Sequence, residues 1–194
     1  MTPYHRHSAL VVVDVQNDFT DPEGSLYVRS AEDIVAAINT EVDQALAAEA
    51  VVIYTQDWHP DATPHFVTGG GIWPVHCVRD SWGAEFYPGL TVNGTVVKKG
   101  TGDEDGYSGF SGHDLSSGGV SETELNSILT ERGVNNLVVV GVAGDYCVKA
   151  TALDAVALGY EVSVPLATTR FVELAAGDTQ AAIEAMREAG INVD

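Results

Sequence analysis

The chain alternates short β-branched runs with longer stretches in which apolar residues recur at helical spacing. Residues 9–15, ALVVVDV, form an apolar run interrupted by one charge, Asp14, and closed by the polar Gln16-Asn17-Asp18. Such a run reads as a strand buried on both faces. Residues 51–56, 96–99, 136–142, 160–165 and 191–193 read the same way, with 136–142 (NLVVVGV) the most apolar and central. From 31 to 49, Ile34, Ala37, Ile38, Val42, Ala45 and Leu46 share one helical face. Helices are also expected over 121–133, 145–158 and 178–189, the first opening on a capping-box signal from Ser121 to Glu124 and ending at Gly133. Six strands and four helices in this order predict an α/β fold, a three-layer doubly wound sheet of mostly parallel strands with helices on both faces.

Two segments escape both periods. One is a Gly/Ser/Asp-rich loop running to Gly119. The other spans 57–96, and its tryptophans, Trp58, Trp73 and Trp82, argue for an ordered functional loop. No repeat or linker divides the chain, so residues 1–194 are expected to form a single domain, with 1–8 as a flexible tail. In doubly wound sheets chemistry gathers at the carboxyl ends of strands, here after Val15, Ile53, Val97 and Val142.

Composition narrows the partners. With 28 acidic against 9 basic residues the formal charge is −19, a field that repels nucleic acid and anionic membranes. An apolar content of 45% with 19% charged residues belongs to a globular protein, not a disordered one. No apolar run suits a signal peptide or a membrane span, and Cys77 and Cys147 form no CxxC pair, so a cytoplasmic protein with reduced thiols is expected. Of only three lysines, Lys98 and Lys99 are adjacent.

Four features fall at the strand ends. Asp14 is a lone carboxylate in an apolar strand, costly unless paired, although a strand-end aspartate also serves to cap a loop. Asp57 and His59 lie two apart, on one side of an extended segment, and His65 and His76 follow. Three imidazoles and a carboxylate suit one divalent ion such as zinc, iron or manganese, against the plainer reading of histidines that only hydrogen-bond. Of Lys98 and Lys99, alternation lets one enter a site. Cys147 follows GVAGDY in the first turn of a helix, where free N–H groups and the dipole lower a thiol pKa and can hold an oxyanion; packing is the alternative role. Cys77, His5, His7 and His113 read as packing or surface residues.

Together, VVVDVQNDF (11–19), TQDWHP (55–60), WPVHC (73–77), KKG (98–100), YSGF (107–110) and GVAGDYCVKATALDA (141–155) resemble, in order and spacing, the nicotinamidase branch of the isochorismatase-like cysteine hydrolases. The resemblance implies a catalytic triad of Cys147, Asp14 and Lys99, with Lys98 as the rival lysine, and metal ligands Asp57, His59, His65 and His76. It implies a pyridine pocket of Phe19, Trp73 and Tyr107, to which Val142 and Tyr146 beside the nucleophile are added. It further implies a cis peptide between Val142 and Ala143, and an oxyanion hole of the Ala143 and Cys147 amides. The activity implied is metal-dependent deamidation of nicotinamide, and of pyrazinamide, through a thioester, in the salvage of nicotinamide toward NAD. Homo-oligomers occur among such relatives, so one is a possible state here. The alternatives are a metal-independent relative acting on another small amide, ureido compound or isochorismate, and a catalytically silent metal-binding module. The acidic insert 101–106 between KKG and YSGF departs from the expected pattern.

Overall fold

The computed structural model describes residues 4–194. The first apolar run becomes β1 (Ser8–Val13), buried along its whole length. It sits between β2 (Val51–Asp57) and β6 (Asn136–Val142), parallel to both. Between these in the chain come β3 (Thr95–Lys99), β4 (Ser111–His113) and β5 (Val120–Glu122). Beyond β6 follow β7 (Glu161–Val164), β8 (Thr169–Arg170) and β9 (Asn192–Val193). The main sheet runs β3-β2-β1-β6-β7-β9, with β8 pairing the end of β6 past β7. All its pairings are parallel, as expected where both faces are covered.

The helices are α1 (Asn17–Thr20), α2 (Val35–Ala47), α3 (Leu125–Glu131), α4 (Cys147–Ala157) and α5 (Asp178–Glu188). Alternation along β1 divides the core. Leu10 and Val12 pack with Ile38 and Val42 of α2, while Ala9, Val11 and Val13 pack with Leu129 of α3, Val148 of α4 and Met186 of α5. The chain therefore leaves β1 toward one face and β6 toward the other. Where two adjacent parallel strands part in this way, a crevice opens at their carboxyl ends. Asp14 lies at one lip and Cys147 at the other.

Two expectations change. The Ser121–Glu124 signal does not cap a helix: Ser121 and Glu122 belong to β5, paired antiparallel with β4. Helix α3 begins at Leu125, whose N–H donates to Thr123 Oγ1. The hairpin is a tertiary choice, because its side chains carry no strand periodicity. The stretch 1–8, expected to be flexible, is anchored in its described part: Tyr4 is buried, with its hydroxyl donating to Glu41 at 2.7 Å, and Ser8 opens β1. Residues 1–3 of that stretch lie outside the described residues. Among the described residues no helix is long and apolar enough to cross a membrane.

Candidate active site

Asp14 leaves β1 with φ +52°, which turns its carboxylate back across the end of β2. There Thr55 Oγ1 donates to Asp14 Oδ1 at 2.6 Å. Lys99, the last residue of β3, lies opposite Asp57 in the strand register. Its ammonium is 2.7 Å from Asp14 Oδ2, 2.5 Å from Asp57 Oδ1 and 3.7 Å from Cys147 Sγ, and it also donates to the Gly106 carbonyl. Lys98, one residue earlier, points to the opposite side, with its ammonium 3.3 Å over the Trp58 ring centroid. Alternation along β3 thus assigns Lys99 to the cluster and Lys98 to the surface.

Burial and charge oppose one another in this cluster. Burial pushes the Asp14 carboxyl up, Lys99 pulls it down and Asp57 raises it again, leaving it at about 6. For Asp57 burial also raises, but Lys99, His59 and His76 together hold the carboxyl well below the usual carboxylate range. Burial would discharge Lys99, yet Asp14 and Asp57 hold its pKa well above the usual lysine value. The thiol corrects the expectation drawn from its helix position. Burial drives Cys147 well above an ordinary cysteine, and Lys99 only partly offsets this. To act as a nucleophile such a thiol would need a base at hand, and Asp14 lies within 4.8 Å of it.

On the other side of Asp57, its Oδ2 lies 3.6 Å from His59 Nε2 and 4.0 Å from His76 Nε2. His59, His65 and His76 each turn one ring nitrogen to within 4.8 Å of the others. His76 Nδ1 lies 2.7 Å from the Pro74 carbonyl, which fixes the proton there and leaves Nε2 as the free lone pair. Burial holds His65 down at about 3 and His76 at about 4, so both are neutral imidazoles, the form that ligates metal. Among the described residues neither ring nitrogen of fully buried His59 has a hydrogen-bond partner, which costs roughly 1–3 kcal/mol per orphaned group in a protein interior. An ion shared by these imidazoles and Asp57 would satisfy that lone pair, so the donor set fits a divalent cation.

Two glycines make the His59 seat possible. Gly100 (φ +63°) and Gly106 (φ +69°) lie against its ring, and a Cβ at Gly100 would sit 2.4 Å from His59 Cε1. Phe66 closes the site, edge-on to the ring at 5.3 Å between centroids. Alanine at Gly100 is expected to cost roughly 2–4 kcal/mol, from overpacking plus left-handed strain. It is also expected to lower the metal bound per chain. An unchanged melting temperature with full metal content in Gly100→Ala would refute this account of the seat.

The remaining supports were not recognisable in the sequence. Gln16 grips both sides of Asp57, its Nε2 donating to the Asp57 carbonyl and its Oε1 accepting the Asp57 N–H, each at 2.8 Å. Asp18 accepts the Cys77 N–H at 2.7 Å, next to His76. Both belong to the polar residues that close the first apolar run, so they are visible as polar positions, but nothing local names their partners. Cys77 is fully buried and packs, as expected.

A small cavity opens beside the thiol. Phe19, Trp73, Tyr107 and Tyr146 line it, together with Asp57, His65, His76 and Cys147. Trp73 Nε1 donates to the Tyr107 hydroxyl at 2.7 Å, and its ring meets Tyr146 edge-on at 4.8 Å. Val142 is corrected: its side chain lies in the core on the α2 side, and Ala143 faces the cavity instead. Leu26, Val28, Asp105 and Val172 also line the cavity and were not anticipated. The Val142–Ala143 peptide is cis. Neither the Ala143 nor the Cys147 N–H has an acceptor among the described residues. His5, His7 and His113 are exposed, away from the site.

The isochorismatase domain family matches residues 8–193. The nicotinamidase/pyrazinamidase of Mycobacterium tuberculosis is 39% identical, covering 95% of this chain and 97% of its own length. The structure of the pyrazinamidase of Pyrococcus horikoshii in complex with zinc superimposes with a TM-score of 0.84 at 34% identity, over 97% of this chain and 98% of that one. A structure from L. infantum in complex with nicotinate gives 0.86 at 34% identity, over 97% of this chain and 92% of that one. Matched by the family over residues 8–193 and by a relative 39% identical over nearly its whole length, this chain belongs to the isochorismatase family.

Proposed function

We propose that this chain is a metal-dependent cysteine amidohydrolase that converts nicotinamide to nicotinic acid and ammonia, and that also accepts pyrazinamide. One observation carries the reading: Cys147, whose sulfur lies 3.7 Å from the Lys99 ammonium, lines the same aromatic cavity as Asp57, His65 and His76 of the three-histidine, one-carboxylate set. Aromatic walls suit a flat heteroaromatic ring. Zinc, iron or manganese on Asp57, His59, His65 and His76 would supply a Lewis-acid contact that orients a ring nitrogen.

The chain's own groups account for the chemistry. Asp14 takes the Cys147 proton as sulfur attacks the carboxamide carbon, and Lys99 balances the charge on both. The Ala143 and Cys147 N–H groups are placed to receive the developing oxyanion. Asp14 returns the proton to the amide nitrogen, the C–N bond breaks, and ammonia leaves a thioester on Cys147. A water deprotonated by Asp14 then attacks the thioester, releasing the acid and restoring the thiol. Reduced thiols and a salvage role in the cytoplasm fit this reading.

Metal analysis with an ammonia-release assay tests the proposal. Purified protein should hold close to one divalent ion per chain, lose it and its nicotinamide turnover to a chelator, and regain both on adding the ion back. Turnover undiminished after the ion is removed would instead favour the metal-independent alternative. The pH profile follows from Asp14, which must be ionised to act as base. Its pKa of about 6 places the acid limb of kcat/KM there, with activity falling roughly tenfold per unit at lower pH. A profile flat from pH 7 down to 4.5 would remove Asp14 from that role.

A further inference from the structure

One buried carboxylate takes no part in these steps. Asp145 stands between Ala143 and Cys147, 3% exposed. Its Oδ1 accepts the Val172 N–H at 3.0 Å and its Oδ2 the Glu173 N–H at 2.8 Å. Among the described residues it forms no ion pair. A buried carboxylate without a cation is costlier than an amide; the advantage here is two acceptor oxygens that hold two successive N–H groups at once.

The segment it holds follows β8, where Arg170 pairs with Val142 and its carbonyl accepts the Gly144 N–H at 2.7 Å. Phe171 rests on Gly144, where a Cβ would lie 2.5 Å from the ring. Residues 170–173 therefore form a strap across the end of β6. Phe171 packs into the core on the α4 side and Val172 into the core on the α2 side, and Val172 also lines the ring cavity. Glu173 exits with φ +52°, so the strap turns immediately after the bonds to Asp145.

We propose that Asp145 is a positioning residue for substrate selection: by holding Val172 in the cavity wall, it sets which ring substituents the site admits. The proposal rests on the amidohydrolase reading above. Its test measures kcat and KM for nicotinamide and for a ring-methylated nicotinamide in wild type, Asp145→Ala, Asp145→Asn and Val172→Ala. The rates at which iodoacetamide and the bulkier N-phenylmaleimide label Cys147 are measured alongside, by mass.

In Asp145→Ala and Val172→Ala the kcat/KM ratio of methylated to plain substrate should rise about tenfold, the scale of one methyl group in an apolar pocket. KM for nicotinamide should rise while kcat stays within about threefold, since the thiol and its base are untouched. Asp145→Asn, which keeps one strong acceptor, should fall between. Bulky labelling should gain on small labelling in the same order. A lower kcat with an unchanged substrate ratio in both Asp145 variants overturns the proposal, as does altered selectivity in Val172→Ala alone. If Asp145→Ala does not fold, Asp145→Asn decides. If the wild type turns over no nicotinamide, the activity reading fails, and the labelling ratio still decides the role of Asp145.

Discussion

Alanine at Cys147 is expected to lower kcat/KM for nicotinamide by about a thousandfold or more, because on the proposed mechanism it removes the nucleophile and with it the covalent route. Stability should hardly move: the thiol is small, and its replacement forfeits on the order of 1 kcal/mol of burial. That separation gives the measurement its force. With a slowly hydrolysed amide, the wild type should gain the mass of one acyl group on the peptide carrying Cys147, and the variant should gain nothing. Full ammonia release by a folded Cys147→Ala protein would end the thioester mechanism, whatever the metal content.

The second large effect is at Lys99, and it acts on both stability and catalysis. The Lys99 ammonium is the only cation within salt-bridge distance of Asp14 among the described residues, and it also holds Asp57. Methionine keeps the length of the side chain and removes the charge, leaving two buried carboxylates facing one another. Breaking a buried pair in this way costs about 3–5 kcal/mol. For a chain of 194 residues that corresponds to a melting temperature roughly 6–20 °C lower. Activity should fall with it. The double variant Lys99→Met with Asp14→Asn should recover much of the stability and none of the activity. A Lys99→Met protein as stable as wild type would show that the ammonium is not the counter-charge the geometry makes it. Lys98→Met is the control, since that side chain lies on Trp58 at the surface and a surface cation–π contact is worth about 0.5–1 kcal/mol.

Much of this site could be read before any coordinates. Parallel strands covered on both faces must be apolar throughout, so a single carboxylate in ALVVVDV and a lysine pair closing TVVKK stand out as exceptions. The three histidines after Asp57 were legible for a related reason, since ligand chemistry narrows the residue types. The misassigned positions have a common cause. Ser121 and Glu124 satisfy a local pattern that β4 pairing overrides. Val142 closes the strand before Cys147, but its side chain packs in the core on the α2 side. The Cys147 thiol obeys burial more than the helix terminus it begins.

The linear order of residues by itself determined the fold class, the strand-end placement of Asp14, Lys99 and Cys147, and the imidazole set, because periodicity and residue chemistry are local properties. Only the tertiary structure decided which lysine enters, that Gln16 and Asp18 fasten the metal loop, that Gly100 and Gly106 make room for His59, and that Asp145 reaches Val172. Those outcomes depend on contacts between residues as far as 85 positions apart, from Asp14 to Lys99, where one side chain's partner is set by how the strands are ordered and not by its neighbours in the chain.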